Sequence, residues 1–116
     1  MHELSLCQAL IDQVTGIARE HGASRVERIR LKVGPLAGVE PMLLQQAYPL
    51  VAVGTIAEDA ELVIEPAEVR VQCNLCGAET EARPNRLLCG ACGAFQTRLV
   101  SGDELLLANL ELMIPD

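Results

Sequence analysis

Cys73-Asn74-Leu75-Cys76-Gly77 and Cys89-Gly90-Ala91-Cys92-Gly93, with twelve residues between Cys76 and Cys89, are two copies of one turn. Two residues between thiols let a single tight turn present both sulfurs to the same ion. A glycine directly after the second cysteine permits positive φ and lets backbone N–H groups point at sulfur. Two such turns facing each other supply four soft ligands in a tetrahedron, the arrangement that suits zinc best. Four thiolates fill the coordination sphere and leave no position for a water nucleophile, so the expected site is structural. The surrounding segment, from about Cys73 to Val100, is rich in turn residues and has almost no core of its own. A lobe of roughly 30 residues lies below the size at which domains fold without a metal or crosslink. Zinc binding worth on the order of 10 kcal/mol makes up such a deficit. A mononuclear iron site or a redox-active pair are the other readings of the spacing, although neither pair is followed by the helical pattern of a thioredoxin-like motif.

Outward from this segment the pattern changes. Before it, from Leu6 to Ala18, apolar residues recur at helical spacing (Leu6, Cys7, Leu10, Ile11, Val14, Ile17, Ala18), with Ser5 as the expected cap and Gly22 as the expected stop. Cys7 falls on the apolar face and reads as a small core residue. Arg25 to Val33 alternates, with Ile29, Leu31 and Val33 against Arg28, Arg30 and Lys32. That predicts a half-buried strand whose basic face pairs with acidic neighbours. Gly34 to Gly38 is a turn, and Glu40-Pro41 predicts the start of a second helix over Met42 to Val53, kinked or shortened by Pro49. Leu62 to Gln72 reads as extended, interrupted at Pro66. After the cysteine segment, Glu104 to Ile114 alternates at Leu106, Ala108, Leu110, Leu112 and Ile114, which predicts a closing strand facing helices. The expected architecture is α+β: two helices packed on a small, about three-stranded sheet, with an inserted zinc-ribbon-like lobe. The expected division is residues 1–70 plus 103–116 for the α+β domain and 71–102 for the metal lobe.

The 116 residues carry 16 acidic and 9 basic side chains, a formal charge of -7. That balance argues against nucleic-acid binding through phosphate neutralisation. Half the residues are hydrophobic, with Tyr48 and Phe95 the only aromatics, so the core must be aliphatic. The first residues lack the basic-then-apolar pattern of a signal peptide, and no apolar run approaches the ~20 residues of a membrane span. A cytoplasmic protein is expected, and in a reducing compartment paired cysteines favour metal over disulfide. Nothing suggests an enzyme, there being no nucleophile–base pair and no phosphate-binding glycine loop.

His2 has a particular neighbour, the α-amine of Met1. The amine, the backbone nitrogen of His2 and its imidazole Nδ1 can chelate one ion through fused rings, with Glu3 completing a square plane. Such N/O coordination suits Ni(II) or Cu(II). The other reading is an exposed polar terminus in which Glu3 favours the helix start through its dipole. His21, at the end of the first helix, reads as a cation placed on the carbonyl ends.

Met1-His2-Glu3-Leu4-Ser5, Gly38-Val39-Glu40-Pro41, Ile64-Glu65-Pro66, the two CxxCG turns and Gly102-Asp103-Glu104-Leu105 occur in this order. In this the chain resembles, over essentially its full length, the HypA/HybF family of nickel metallochaperones that help mature [NiFe]-hydrogenases. The resemblance implies a nickel site at His2 and Glu3 with the Met1 amine, and a structural zinc held by Cys73, Cys76, Cys89 and Cys92. It also implies a GTPase partner of the HypB type, delivery of Ni(II) to the hydrogenase large subunit, and a monomer or weak homodimer. Glu40 falls where the family often has an acidic residue; an outer nickel ligand or a helix cap are its two readings. Two departures stand out. The third cysteine is commonly followed by proline in this family, where this chain has Gly90, and the second helix has Gln45, Gln46 and Tyr48 in place of the usual phenylalanines. A zinc-ribbon interaction module without nickel delivery is the alternative function.

Overall fold

A computed structural model describes residues 3–115. The chain runs α1 (Glu3–Glu20), β1 (Arg25–Val33), α2 (Pro41–Ala52), β2 (Glu61–Pro66), β3 (Arg70–Cys73), β4 (Glu79–Glu81), β5 (Thr97–Ser101) and β6 (Leu105–Met113). Two compact units result. One comprises Met1–Leu31, Val39–Glu65 and Leu106–Asp116; the other comprises Lys32–Gly38 and Pro66–Leu105.

The larger unit contains α1 and α2, which pack on each other, and a sheet of order β2-β1-β6. Helix α1 buries Cys7, Leu10, Ile11, Val14 and Ala18, the face its apolar spacing defines. Ser5 lies inside the helix rather than capping it, because α1 already begins at Glu3. Its C-terminus closes in a Schellman arrangement. Gly22 adopts φ 67°, its N–H donates to the Arg19 carbonyl, and the Ala23 N–H reaches back to Ala18 at 2.9 Å. Helix α2 starts with Pro41 in the first turn and continues through Pro49 to Ala52. Tyr48 is buried on this helix, and its hydroxyl donates to the Ala57 carbonyl at 2.6 Å, so the one core aromatic leaves no unpaired polar atom. Burial pushes its pKa up to about 12. Phe95, by contrast, is 74% exposed, and the core is aliphatic apart from Tyr48.

Strand β1 is central, and this explains its arginines. Arg28 donates through Nε to Glu61 on β2 at 2.8 Å and through Nη1 to Glu111 on β6 at 3.0 Å, while Arg30 reaches Glu65 at 3.3 Å. The two arginines of the basic face are thus paired from the neighbouring strands, while Lys32 makes no ion pair among the described residues. Strand β6 departs from expectation. Leu110 and Leu112 are half-buried, but Leu106 is 45% exposed, Ile114 is 52% exposed, and Ala108 is exposed as well. The physical reason is position: β6 has a neighbour on one side only, so alternation alone does not bury its ends.

The smaller unit is built on a second sheet of order β4-β3-β5. The extended stretch from Leu62 to Gln72 is interrupted at Pro66 as expected, and its two halves join different sheets, with Pro66 ending β2 and Arg70 starting β3. Antiparallel pairing sets Val71 against Thr80 on β4 and Leu99 on β5. Val71 is 1% exposed and forms a small core with Ala67 and Val69, so the lobe has more interior than its composition suggested.

Candidate metal centre

The two cysteine turns have the same backbone. In the first, the Cys73 N–H donates to Ala78 O at 2.9 Å and the Gly77 N–H returns to Cys73 O at 3.1 Å. In the second, the Cys89 N–H donates to Ala94 O at 2.9 Å and the Gly93 N–H returns to Cys89 O at 2.9 Å. Gly77 and Gly93 adopt φ 79° and 78°, the left-handed conformation that a side chain would strain. Each turn aims two N–H groups at its first sulfur: Leu75 and Cys76 at Cys73, both at 3.3 Å, and Ala91 and Cys92 at Cys89, at 3.3 and 3.4 Å. These donors favour the thiolate form that a metal requires.

The four sulfurs converge. Cys73 and Cys92 lie 3.6 Å apart, as do Cys76 and Cys89, and all four Sγ atoms fall within 4.8 Å of one another. A tetrahedral zinc with bonds of about 2.3 Å would hold its sulfurs about 3.8 Å apart. The donor set therefore fits that ion in both chemistry and spacing. Cys73 and Cys89 are buried while Cys76 and Cys92 are exposed, so each turn contributes one inner and one outer thiol. The N–H groups of Cys92 and Ala91 lower the Cys89 thiol to about 6, and those of Cys76 and Leu75 lower Cys73. Cys92 moves the other way, to about 12. The Ala94 N–H draws it down, but proton sharing with Cys73, Cys76 and Cys89 raises it more.

Cys7 takes no part in this cluster. It is buried on α1, its Sγ lies 3.6 Å from the Leu44 carbonyl, and burial raises its pKa, with Glu3 adding to the effect. Glu3 is half-buried as the first residue of α1; His2, with Met1, lies outside the described residues. His21 is exposed, its Nδ1 2.9 Å from the Ile17 carbonyl, at the helix end where it was expected. Glu40 is the exposed N-cap residue of α2 but makes no side-chain cap hydrogen bond. The N–H groups of Leu43 and Leu44 go instead to its backbone carbonyl.

Gly90 donates its N–H to Thr80 Oγ1 at 2.8 Å, a contact between β4 and the second turn that no local sequence pattern announces. Among the described residues no helix is long and apolar enough to cross a membrane.

The family described as "Hydrogenase/urease nickel incorporation, metallochaperone, hypA" matches residues 1–112. The chain belongs to the HypA family. Relatives named hydrogenase maturation factor HypA agree along nearly their whole length. That of Nitrosospira multiformis is 49% identical over 113 residues, covering 97% of this chain and 98% of its own. That of Aquifex aeolicus is 39% identical over 114 residues, covering 98% and 99%. The fold is shared with the solution structure of the Ni metallochaperone HypA from Helicobacter pylori, at a TM-score of 0.73 and 23% identity, over 99% of this chain and 100% of that one. The family is one of hydrogenase maturation factors, and the four converging thiols of this chain are consistent with zinc binding.

Proposed function

We propose that this chain is a nickel metallochaperone. It binds Ni(II) as cargo at its N-terminus through the Met1 amine, His2 and Glu3, and it assists insertion of that nickel into the large subunit of a [NiFe]-hydrogenase. Cys73, Cys76, Cys89 and Cys92 would hold one structural Zn(II), whose chemistry here is to crosslink two turns of a lobe with a small core. The observation that carries the reading is the family match from residue 1 to 112, which takes in the terminal His2-Glu3 and both cysteine turns. The relative from Helicobacter pylori, described as a Ni metallochaperone, supports the choice of cargo.

The two sites divide the labour by their chemistry. Four thiolates make a closed site that retains its metal. A terminal chelate of amine, imidazole and carboxylate is open to exchange and loses affinity on acidification through the histidine range near ~6.5, because protons compete for the same nitrogens. In this reading residues 1–70 with 103–116 are the nickel domain and residues 71–102 the zinc lobe. The protein is cytoplasmic, performs no catalysis itself, and hands nickel on in contact with a HypB-type GTPase and the hydrogenase precursor.

The test compares nickel binding by the protein with its native terminus and by a version carrying extra residues before Met1. Extension should leave the zinc content at one per chain and remove most of the nickel affinity. Equal nickel binding by the two proteins would overturn the terminal-chelate mechanism. His2→Ala should give the same loss with an unchanged circular dichroism spectrum.

A further inference from the structure

The segment joining the two cysteine turns carries charge that the fold does not answer. Arg83 and Arg86 face each other across an antiparallel bridge. The turn between them, Arg83-Pro84-Asn85-Arg86, is closed by the Arg86 N–H donating to Arg83 O at 3.0 Å, and the Leu88 N–H then donates to Arg86 O at 2.9 Å. Proline at the second position fixes φ for such a turn. Residues directly opposite in an antiparallel pair project to the same side, where like charges are destabilising. Four arginines at strand positions are matched by carboxylates: Arg25 by Glu27, Arg28 by Glu61 and Glu111, Arg30 by Glu65, and Arg70 by Glu79 and Glu68; Arg98 on β5 donates to the Gln72 side-chain oxygen instead. Among the described residues, no carboxylate pairs with Arg83 or Arg86.

A shallow cavity of about 500 Å³ opens beside them, lined among others by Glu81, Arg83, Arg86, Leu88, Cys89 and Gly90. It also holds one carboxylate. Glu81 stands in register with Arg70 on β3, whose ion pairs go to Glu79 and Glu68, and it pairs with neither Arg83 nor Arg86. The Gly90 N–H is given to Thr80. What the cavity offers a ligand is therefore two guanidiniums against one carboxylate, a net positive charge, and the apolar side chain of Leu88. Guanidiniums bind carboxylates in a forked geometry, and an apolar wall suits the methylene stem of a glutamate. None of the lining residues is aromatic, so a nucleic-acid base would find nothing to stack on.

We infer that Arg83 and Arg86 form a docking site for an acidic peptide segment of a partner protein, gripping two of its carboxylates on the metal lobe. The site is separate from nickel binding and stands whether or not the terminus carries cargo. The test uses the zinc-loaded full chain and a fluorescein-labelled octaglutamate peptide, followed by anisotropy at low salt. Saturable binding is expected, weakened about tenfold by Arg83→Glu with Arg86→Glu and weakened by added salt. Zinc content and circular dichroism should be unchanged. The neutral pair Arg83→Gln with Arg86→Gln is measured alongside as a milder change to the turn, and it too should lose affinity. Arg19→Glu, on α1, should bind the peptide as the parent does. Absence of binding by the parent, or binding that both double variants retain, would overturn the proposal. So would competition by inorganic phosphate as effective as that of unlabelled peptide, or tighter binding of a single-stranded oligonucleotide.

Discussion

Gly34 sits where two backbone segments of the smaller unit approach more closely than a side chain allows. A Cβ at this position would lie 2.0 Å from the Gly102 carbonyl oxygen and 2.2 Å from its carbon. Both are main-chain atoms, so no rotamer change relieves the overlap. The two segments are clasped by the Gly34 N–H donating to Glu104 O at 2.8 Å and the Leu36 N–H donating to Gly102 O at 2.7 Å. Gly102 cannot retreat, because it adopts φ 123° and the Val69 Cα lies 3.0 Å from where its own Cβ would stand. Gly34→Ala must therefore part the segments by about 1 Å and give up both bonds, each worth roughly 0.5–1.5 kcal/mol, with added repacking strain. The expected loss is about 3 kcal/mol. Gly16 provides the opposite case. It is exposed within α1, nothing lies within 4 Å of its would-be Cβ, and Gly16→Ala should stabilise by about 1 kcal/mol through helix propensity. Urea unfolding of both variants with zinc at saturation, followed by far-UV circular dichroism, reads the two signs directly. Gly34→Ala should also transfer zinc faster to a competing chelator. A Gly34→Ala protein within about 0.5 kcal/mol of the parent would refute the close-approach argument.

Two further outcomes follow from the thiols. Zinc-loaded protein at pH 8 should resist alkylation; chelation should expose four reactive thiols, with Cys7 reacting only after unfolding because it is buried and its pKa is raised. Five thiols reacting at once on chelation would contradict the placement of Cys7. Zinc binding at pH 7 should release fewer than four protons, since Cys89, at about 6, is already largely thiolate whereas Cys92, at about 12, must surrender a proton. As pH falls through about 6 Cys89 protonates in the free protein, one more proton must be displaced, and zinc affinity should fall more steeply. Calorimetry in buffers of different ionisation enthalpy counts the protons, and release of four at neutral pH would contradict the N–H stabilisation of Cys89.

What was legible in the sequence was what local chemistry decides. The spacing of the cysteines, and the glycine after each pair, determines a turn whose hydrogen bonds close within six residues; both copies form as expected. The apolar face of α1 and the arginine face of β1 were equally plain, because helical period and strand alternation are properties of a few neighbouring residues. The inward face of β6 was not, since its burial depends on β6 lying at the edge of the sheet, a fact of topology rather than of alternation. The clasp at Gly34 and Gly102 was hidden for a related reason. It joins segments almost seventy residues apart in sequence, and each glycine alone reads as an ordinary turn residue. Arg83 and Arg86 were passed over because two arginines in a polar loop look like a solvated surface until the bridge sets them face to face.

The departure at Gly90 is where local pattern and tertiary contact meet. A proline there, as the family resemblance implies, would fix φ and remove the N–H. In this chain that N–H donates to Thr80 Oγ1, and a Cβ at position 90 would come within 3.1 Å of the Thr80 Cβ. A proline would thus both delete the bond and crowd the residue that accepts it. Rigidity that proline would supply within the turn is supplied here by a bond from β4 to the turn. The two solutions hold the same sulfur in place, because the donors to Cys89 are the N–H groups of Ala91 and Cys92, which neither solution consumes. Gly90 and Thr80 therefore act as a pair, and the N–H groups that hold Cys89 do not depend on a proline at position 90.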